Sequence, residues 1–222
     1  MASTSTASDL IPARPTVRRL REAAAGCKAC PLWKPATQTV FGQGRASARL
    51  MLVGEQPGDR EDVEGKPFVG PAGKVLEYAM ATAGITRMEV YVTNVVKHFK
   101  WRPAGKRRLH QTPRANEIEA CRPWIEAELE AVKPEALVCL GATATRVLLG
   151  SKVKVTRDRG KLIDSDLAAL VGITVHPSSI LRIREDDERK HAREQFAQDL
   201  APTWPVSSTA STPVEPRAMR GR

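Results

Sequence analysis

No apolar run in this chain of 222 residues approaches the roughly 20 needed for a membrane-crossing helix, so no such span is expected. The opening MASTSTASDLIPARP lacks a basic start followed by an apolar core, so no secretion signal is expected and a cytoplasmic chain is. Only four cysteines are present, and without an export signal two structural disulfides are not expected. Aromatic residues make up only 5%, so one placed among glycines in a polar turn stands out. There is no internal repeat. Acidic side chains are missing altogether between Lys97 and Arg114, where seven Lys and Arg accumulate.

That last absence matters most. The segment WRPAGKRRLHQTPR, residues 101–114, places His110 among unopposed cations. A basic run is ordinarily a solvated loop whose charges salt screens; the alternative is a loop that grips phosphates. The net charge of +10 points to a polyanionic partner, nucleic acid first.

With 41% apolar and 27% charged residues, the chain supports one good-sized globular core. Residues 1–15 and 204–222 are rich in Ser, Thr, Ala, Pro and, at the end, Arg, and are expected to be disordered. Residues 16–203 between them read as one domain. Short runs rich in Val, Ile and Leu predict strands over 49–54, 90–96, 136–141 and 172–177. Helical patterns cover 73–84, 114–132, 142–150 and 185–200. Strand–helix alternation predicts an α/β domain with a mostly parallel sheet, whose ligand site lies beyond the carboxyl ends of the strands. GEQPGDRED, TNVVKHFK and HPSSILR, which follow three of the strands, should therefore meet at one rim.

The cysteines are Cys27, Cys30, Cys121 and Cys139, one close pair and two distant residues. Four unrelated thiols, a structural zinc and a four-thiolate iron–sulfur cluster are all compatible with this. Zinc more often draws on two close pairs, which ranks the cluster slightly ahead. In GKPFVGPAG, Phe68 either caps the core or stacks on a flat ligand. His176 starts HPSSILR and reads equally as a structural residue before Pro177. Ser178 and Ser179 suit the cap of a short helix and a phosphate contact.

GEQPG, GKPFVGPAG, YVTNVVK, the four cysteines and HPSSILR, in that order from Cys27 to Arg182, resemble the iron–sulfur uracil-DNA glycosylases of family 4. Two departures, Gln56 where that family has a small residue and the extra GKRRLH, resemble the UdgX type, which stays bonded to the DNA it cuts. The resemblance implies a three-layer α/β/α sandwich around a four-stranded sheet, with a [4Fe–4S] cluster on the four cysteines. Its partner is uracil-containing DNA, including single strands, near the nucleoid, and a monomer suffices. Phe68 would stack on the base, Asn94 would read its edge with an amide donor and acceptor, and His176 would face O2. Glu55, Gln56 and Asp59 would sit near the sugar, with Gln56 also near the base. Lys106, Arg107, Arg108, Ser178 and Arg182 would contact DNA. His110 would take the place of water and attack C1′, and the neighbouring cations would disfavour its protonated form.

Overall fold

The structure, a computed structural model, describes residues 6–204. Four parallel strands form the central sheet: β1 (Leu50–Gly54), β2 (Val90–Asn94), and two more after a separate hairpin. That hairpin pairs β3 (Trp101–Ala104) with β4 (Arg107–His110). The sheet is completed by β5 (Ala136–Leu140) and β6 (Leu170–Thr174), in the order β2-β1-β5-β6. Nineteen of the twenty residues in these four strands are buried, as expected of a parallel sheet covered on both faces.

Alternation along each strand divides the core. Met51, Val53, Tyr91, Leu137, Cys139 and Ile173 face one layer, with Leu20 of α1 (Val17–Ala24) and Trp124 of α4 (Ala115–Val132). Leu50, Leu52, Val90, Val92 and Val138 face the other. They meet Leu76 of α3 (Pro71–Thr82) and Phe196 of α8 (Asp186–Leu200). The result is the expected three-layer α/β/α sandwich. Shorter helices complete it: α2 (Asp59–Glu64), α5 (Ala142–Leu149), α6 (Val155–Asp158) and α7 (Pro177–Ile180).

All four predicted strands and all four predicted helices are present, displaced by at most a few residues. Helix α3 starts at Pro71, whose fixed φ suits a first helical turn. Strand β6 begins earlier than expected, and it also ends earlier, because His176 caps and Pro177 opens α7. His176 is the N-cap of α7, with its side chain accepting from Ser178 N; Ser178 and Ser179 lie inside the first turn instead of capping it. Within the segment expected to be disordered, Ala7–Leu10 forms a 3-10 turn and Ala7 is buried. The rest of that expectation at residues 1–5 and 205–222 lies outside the described residues.

The basic stretch is the main departure from a loop. Trp101 pairs with His110 and Ala104 with Arg107, across a two-residue turn of Gly105 and Lys106. Gly105 has φ +58°, the left-handed backbone such a turn requires.

Candidate functional site

The chain leaves β1 toward β2 on one side, then returns past it to β5 on the other. This switch point opens a crevice at the carboxyl edge between β1 and β5. A cavity of about 350 Å³ lies there, walled by residues that follow each sheet strand. Glu55 and Gln56 come from β1, Asn94 ends β2, Gly141 to Thr143 follow β5, and His176, Ser178 and Arg182 follow β6. Phe68, Glu61 of α2 and His110 of the hairpin close the remaining sides.

The floor depends on Gly54. A Cβ there would stand 2.4 Å from Asn94 Oδ1, 2.9 Å from Phe68 Cζ and 3.4 Å from His176 Nε2. Three of the predicted base-binding side chains therefore converge on one point. Phe68 has φ +56°, an uncommon conformation for an aromatic residue, and its ring lies 6.2 Å from that of His176, tilted by 30°. Glu61 Oε1 accepts from Gly70 N at 2.7 Å and ties the loop after Phe68 to α2. Asn94 Oδ1 is buried with no protein hydrogen-bond partner, an arrangement that costs about 1–3 kcal/mol unless a ligand supplies a donor.

His176 Nδ1 receives the backbone N–H of Ser178 at 3.2 Å and lies 2.8 Å from Ser178 Oγ. A backbone N–H can only donate, so Nε2 carries the ring proton and is the nitrogen nearest Gly54. Burial brings the His176 pKa down to about 4, despite the nearby Glu55. The imidazole is neutral at physiological pH and acts as a hydrogen-bond donor toward the cavity.

Glu55 faces both flanks of the crevice. Its Oε1 lies 3.3 Å from His110 Nε2, and its Oε2 accepts the Thr143 hydroxyl. Burial alone would raise its pKa. Hydrogen bonds from His110 and Thr143, with the fields of His110 and His176, hold it below the ordinary carboxylate range.

The hairpin that carries His110 is fastened at two places. Gln56 Nε2 donates to the carbonyls of Lys100 (3.2 Å) and Gln111 (3.0 Å), and Lys100 N donates to its Oε1 at 3.0 Å. Lys100 and Gln111 flank the hairpin, so this one amide closes its base. Arg108 reaches back to α2, to Asp59 Oδ1 at 2.5 Å and Asp62 Oδ2 at 2.6 Å. It also lies 5.5 Å from the rings of both Phe99 and Trp101.

These contacts revise three expectations. Gln56 lines the cavity, but its amide is occupied with the hairpin. Asp59 pairs with Arg108 and is not among the cavity walls. Arg108 is held by two carboxylates, while Lys106 and Arg107 stand exposed at the turn. His110 therefore meets a carboxylate at close range in addition to the surrounding cations. Thr143, Glu61 and the fastening roles of Gln56 and Arg108 were not visible in sequence, since each depends on contacts across at least nine residues. Gln56→Ala is expected to free the hairpin base and leave Lys100 N without its acceptor. The measurable result is faster hydrogen exchange over residues 100–111, with the sheet unaffected.

The four cysteines are buried, free and part of one core layer. Among the described residues, no three His, Cys, Asp or Glu side chains form a group that could hold a single metal ion. Two of the sulfurs nevertheless accept hydrogen bonds from N–H donors. Trp124 Nε1 donates to Cys27 Sγ at 3.3 Å, and Lys97 N donates to Cys121 Sγ at 3.2 Å. Such N–H donors accompany cluster-bound sulfur. Burial pushes the Cys121 and Cys139 thiols up to about 12, so binding must displace their protons.

Residues 41–201 match the model of the Uracil DNA glycosylase superfamily. The chain is 41% identical over 171 residues to the type-4 uracil-DNA glycosylase of Thermotoga maritima, covering 77% of this chain and 85% of that one. It is 35% identical over 192 residues to the type-4 enzyme of Pyrobaculum aerophilum, covering 83% and 91%. A DNA polymerase of Bacillus phage SP01 is 32% identical over 142 residues, 64% of this chain but 14% of the polymerase. The chain belongs to the uracil DNA glycosylase superfamily.

Proposed function

We propose that this protein excises uracil from DNA and is then captured by its own product, through a bond from His110 to C1′ of the abasic site. This is the UdgX-type behaviour implied by GEQPG and GKRRLH. The observation that carries it is the imidazole of His110, held at the cavity within 3.3 Å of Glu55 by a hairpin fastened through Gln56 and Arg108.

The extruded base enters between Phe68 and the rim, and Asn94 pairs with its N3–H and O4 edge. The N1–C1′ bond breaks with its electron pair passing to the base, and the neutral His176 donates Nε2–H to the forming anion at O2. Ionised Glu55 stabilises the sugar cation. The lone pair of the unprotonated His110 nitrogen forms the new bond to C1′, and the proton on the other ring nitrogen leaves, balancing the uracil anion. The neutral alkylated imidazole is a poor leaving group, so the adduct lasts. Lys106 and Arg107 at the hairpin turn and Arg182 at the rim are placed to meet phosphates; Ser178 acts through its contact with His176. The substrate includes single-stranded DNA, for which the exposed hairpin offers a basic edge.

Cys27, Cys30, Cys121 and Cys139 would hold a [4Fe–4S] cluster that joins the segment after α1 to α4 and β5. Its contribution is structural, and no step of the excision passes through it. Cys121→Ser is expected to remove most of the absorbance at about 400 nm typical of such clusters and to lower the unfolding temperature. Spectra of the two purified proteins, with iron analysis, test this.

The reading is tested by mixing the protein with a large excess of uracil-containing oligonucleotide, single- and double-stranded, measuring the uracil released, then digesting with protease and weighing the peptides. A peptide spanning His110 that carries sugar phosphate supports the adduct. Uracil released in large excess over protein, with that peptide unmodified, supports conventional turnover instead.

A further inference from the structure

The reading above gives Glu55 two tasks, beside the sugar and beside His110, and a free carboxylate rotates. One contact stops it. Thr143 lies in the first turn of α5, across the crevice from β1, and its hydroxyl donates to Glu55 Oε2 while Oε1 faces His110 Nε2. The side chain is almost fully buried, and the turn before it cannot shift freely. Gly141 has φ +91°, and a Cβ there would stand 2.9 Å from His176 Cβ. The turn that positions Thr143 is thus packed on the histidine that faces the base.

We propose that Thr143 is a positioning residue for Glu55: its hydroxyl fixes the carboxylate rotation that keeps Oε1 on the imidazole of His110. The role rests on the assignment of His110 as the nucleophile, and extends to excision itself through the sugar cation. The hydroxyl is also a donor to the ionised form, so it favours the carboxylate over the acid. The other groups facing Glu55 are His110 from the hairpin and His176 from the end of β6, with Glu61 and Arg182 across the same cavity.

Thr143→Val keeps the branched shape and deletes the donor, whereas Thr143→Ser keeps the donor. Adduct formation under single-turnover conditions is followed as a function of pH for both variants and the parent. The Val variant is expected to be slower by about 10- to 100-fold, the factor carried by a hydrogen bond to a charged group. Loss of the donor raises the Glu55 pKa, so less carboxylate is ionised at a given pH and the acid limb of the profile moves to higher pH. The Ser variant should return the limb to its parental position and the rate to within about threefold. A purely structural role for Thr143 would lower the rate without moving the limb. A Val variant with parental rate and limb, or a Ser variant as impaired as Val, overturns the proposal. If the parent releases uracil without cross-linking, the suicide reading falls and the same comparison is made on uracil release. A slower Val variant with a displaced limb then still upholds the role of Thr143, and unchanged values overturn it.

Discussion

Replacing His110 by alanine is expected to abolish the heat-resistant protein–DNA band and to convert the protein into an enzyme that turns over. In the parent, one equivalent of uracil should be released per protein, after which excision stops. In His110→Ala, release should continue past one equivalent, leaving free abasic DNA. The argument is local. The imidazole lies beside Glu55, 43% exposed at the mouth of the cavity, whereas the groups proposed to hold the base sit at the floor around Gly54. Removing the ring leaves the floor intact and admits water next to a carboxylate able to accept its proton. Cross-linking should fall on the order of 10³-fold or more, as when a nucleophile is deleted from other covalent catalysts. A hot denaturing gel and a uracil-release assay on the same samples measure both outcomes. Persistence of the band in His110→Ala would remove the proposed role of that ring.

Much of this arrangement was legible because the fold is locally encoded. Runs such as RLMLVG and ALVCLG announce buried parallel strands, and the rule that ligands gather at their carboxyl ends brought Glu55, Asn94 and His176 together in advance. The hairpin escaped notice because its charge masked its turn. Gly-Lys between WRPA and RRLH is a two-residue hairpin signal, yet five cations in fourteen residues read as a solvated loop. Side-chain partners escaped for a different reason. Arg108 is one of three consecutive basic residues; only the register of β4 turns it inward to Asp59 and Asp62 while Arg107 stays exposed. Gln56 stood out as an unusual residue in its motif, but its distance from Gln111 along the chain hid its task.

The largest loss of stability is expected from a pair that takes no part in the chemistry. Lys97 and Glu128 are fully buried, with Nζ and Oε2 2.5 Å apart. Glu128 also accepts from Tyr91 Oη, Thr93 Oγ1 and Gly42 N, while Lys97 Nζ donates to Thr93 Oγ1 and to the Asn94 carbonyl at 2.6 Å. Glu128→Ala strands an ammonium and three further donors in the core. Breaking a buried pair in this way costs about 3–5 kcal/mol, readable as a lower urea midpoint. Replacing both members by apolar residues, often neutral for a simple pair, should recover only part of this loss. Tyr91, Gly42 and the Asn94 carbonyl would still lack partners. The damage should also reach the substrate. Lys97 holds the Asn94 carbonyl through Nζ and Cys121 Sγ through its backbone N–H, so loosening it disturbs together the residue proposed to read the base and a cysteine of the predicted cluster. A folded Lys97→Met/Glu128→Leu variant should therefore bind uracil-containing DNA more weakly than the parent, while leaving unchanged the phosphate contacts proposed for Lys106 and Arg107. Equal affinity for uracil-containing and undamaged oligonucleotides in that variant is the expected reading, whereas an undiminished preference for uracil would separate the buried pair from base recognition.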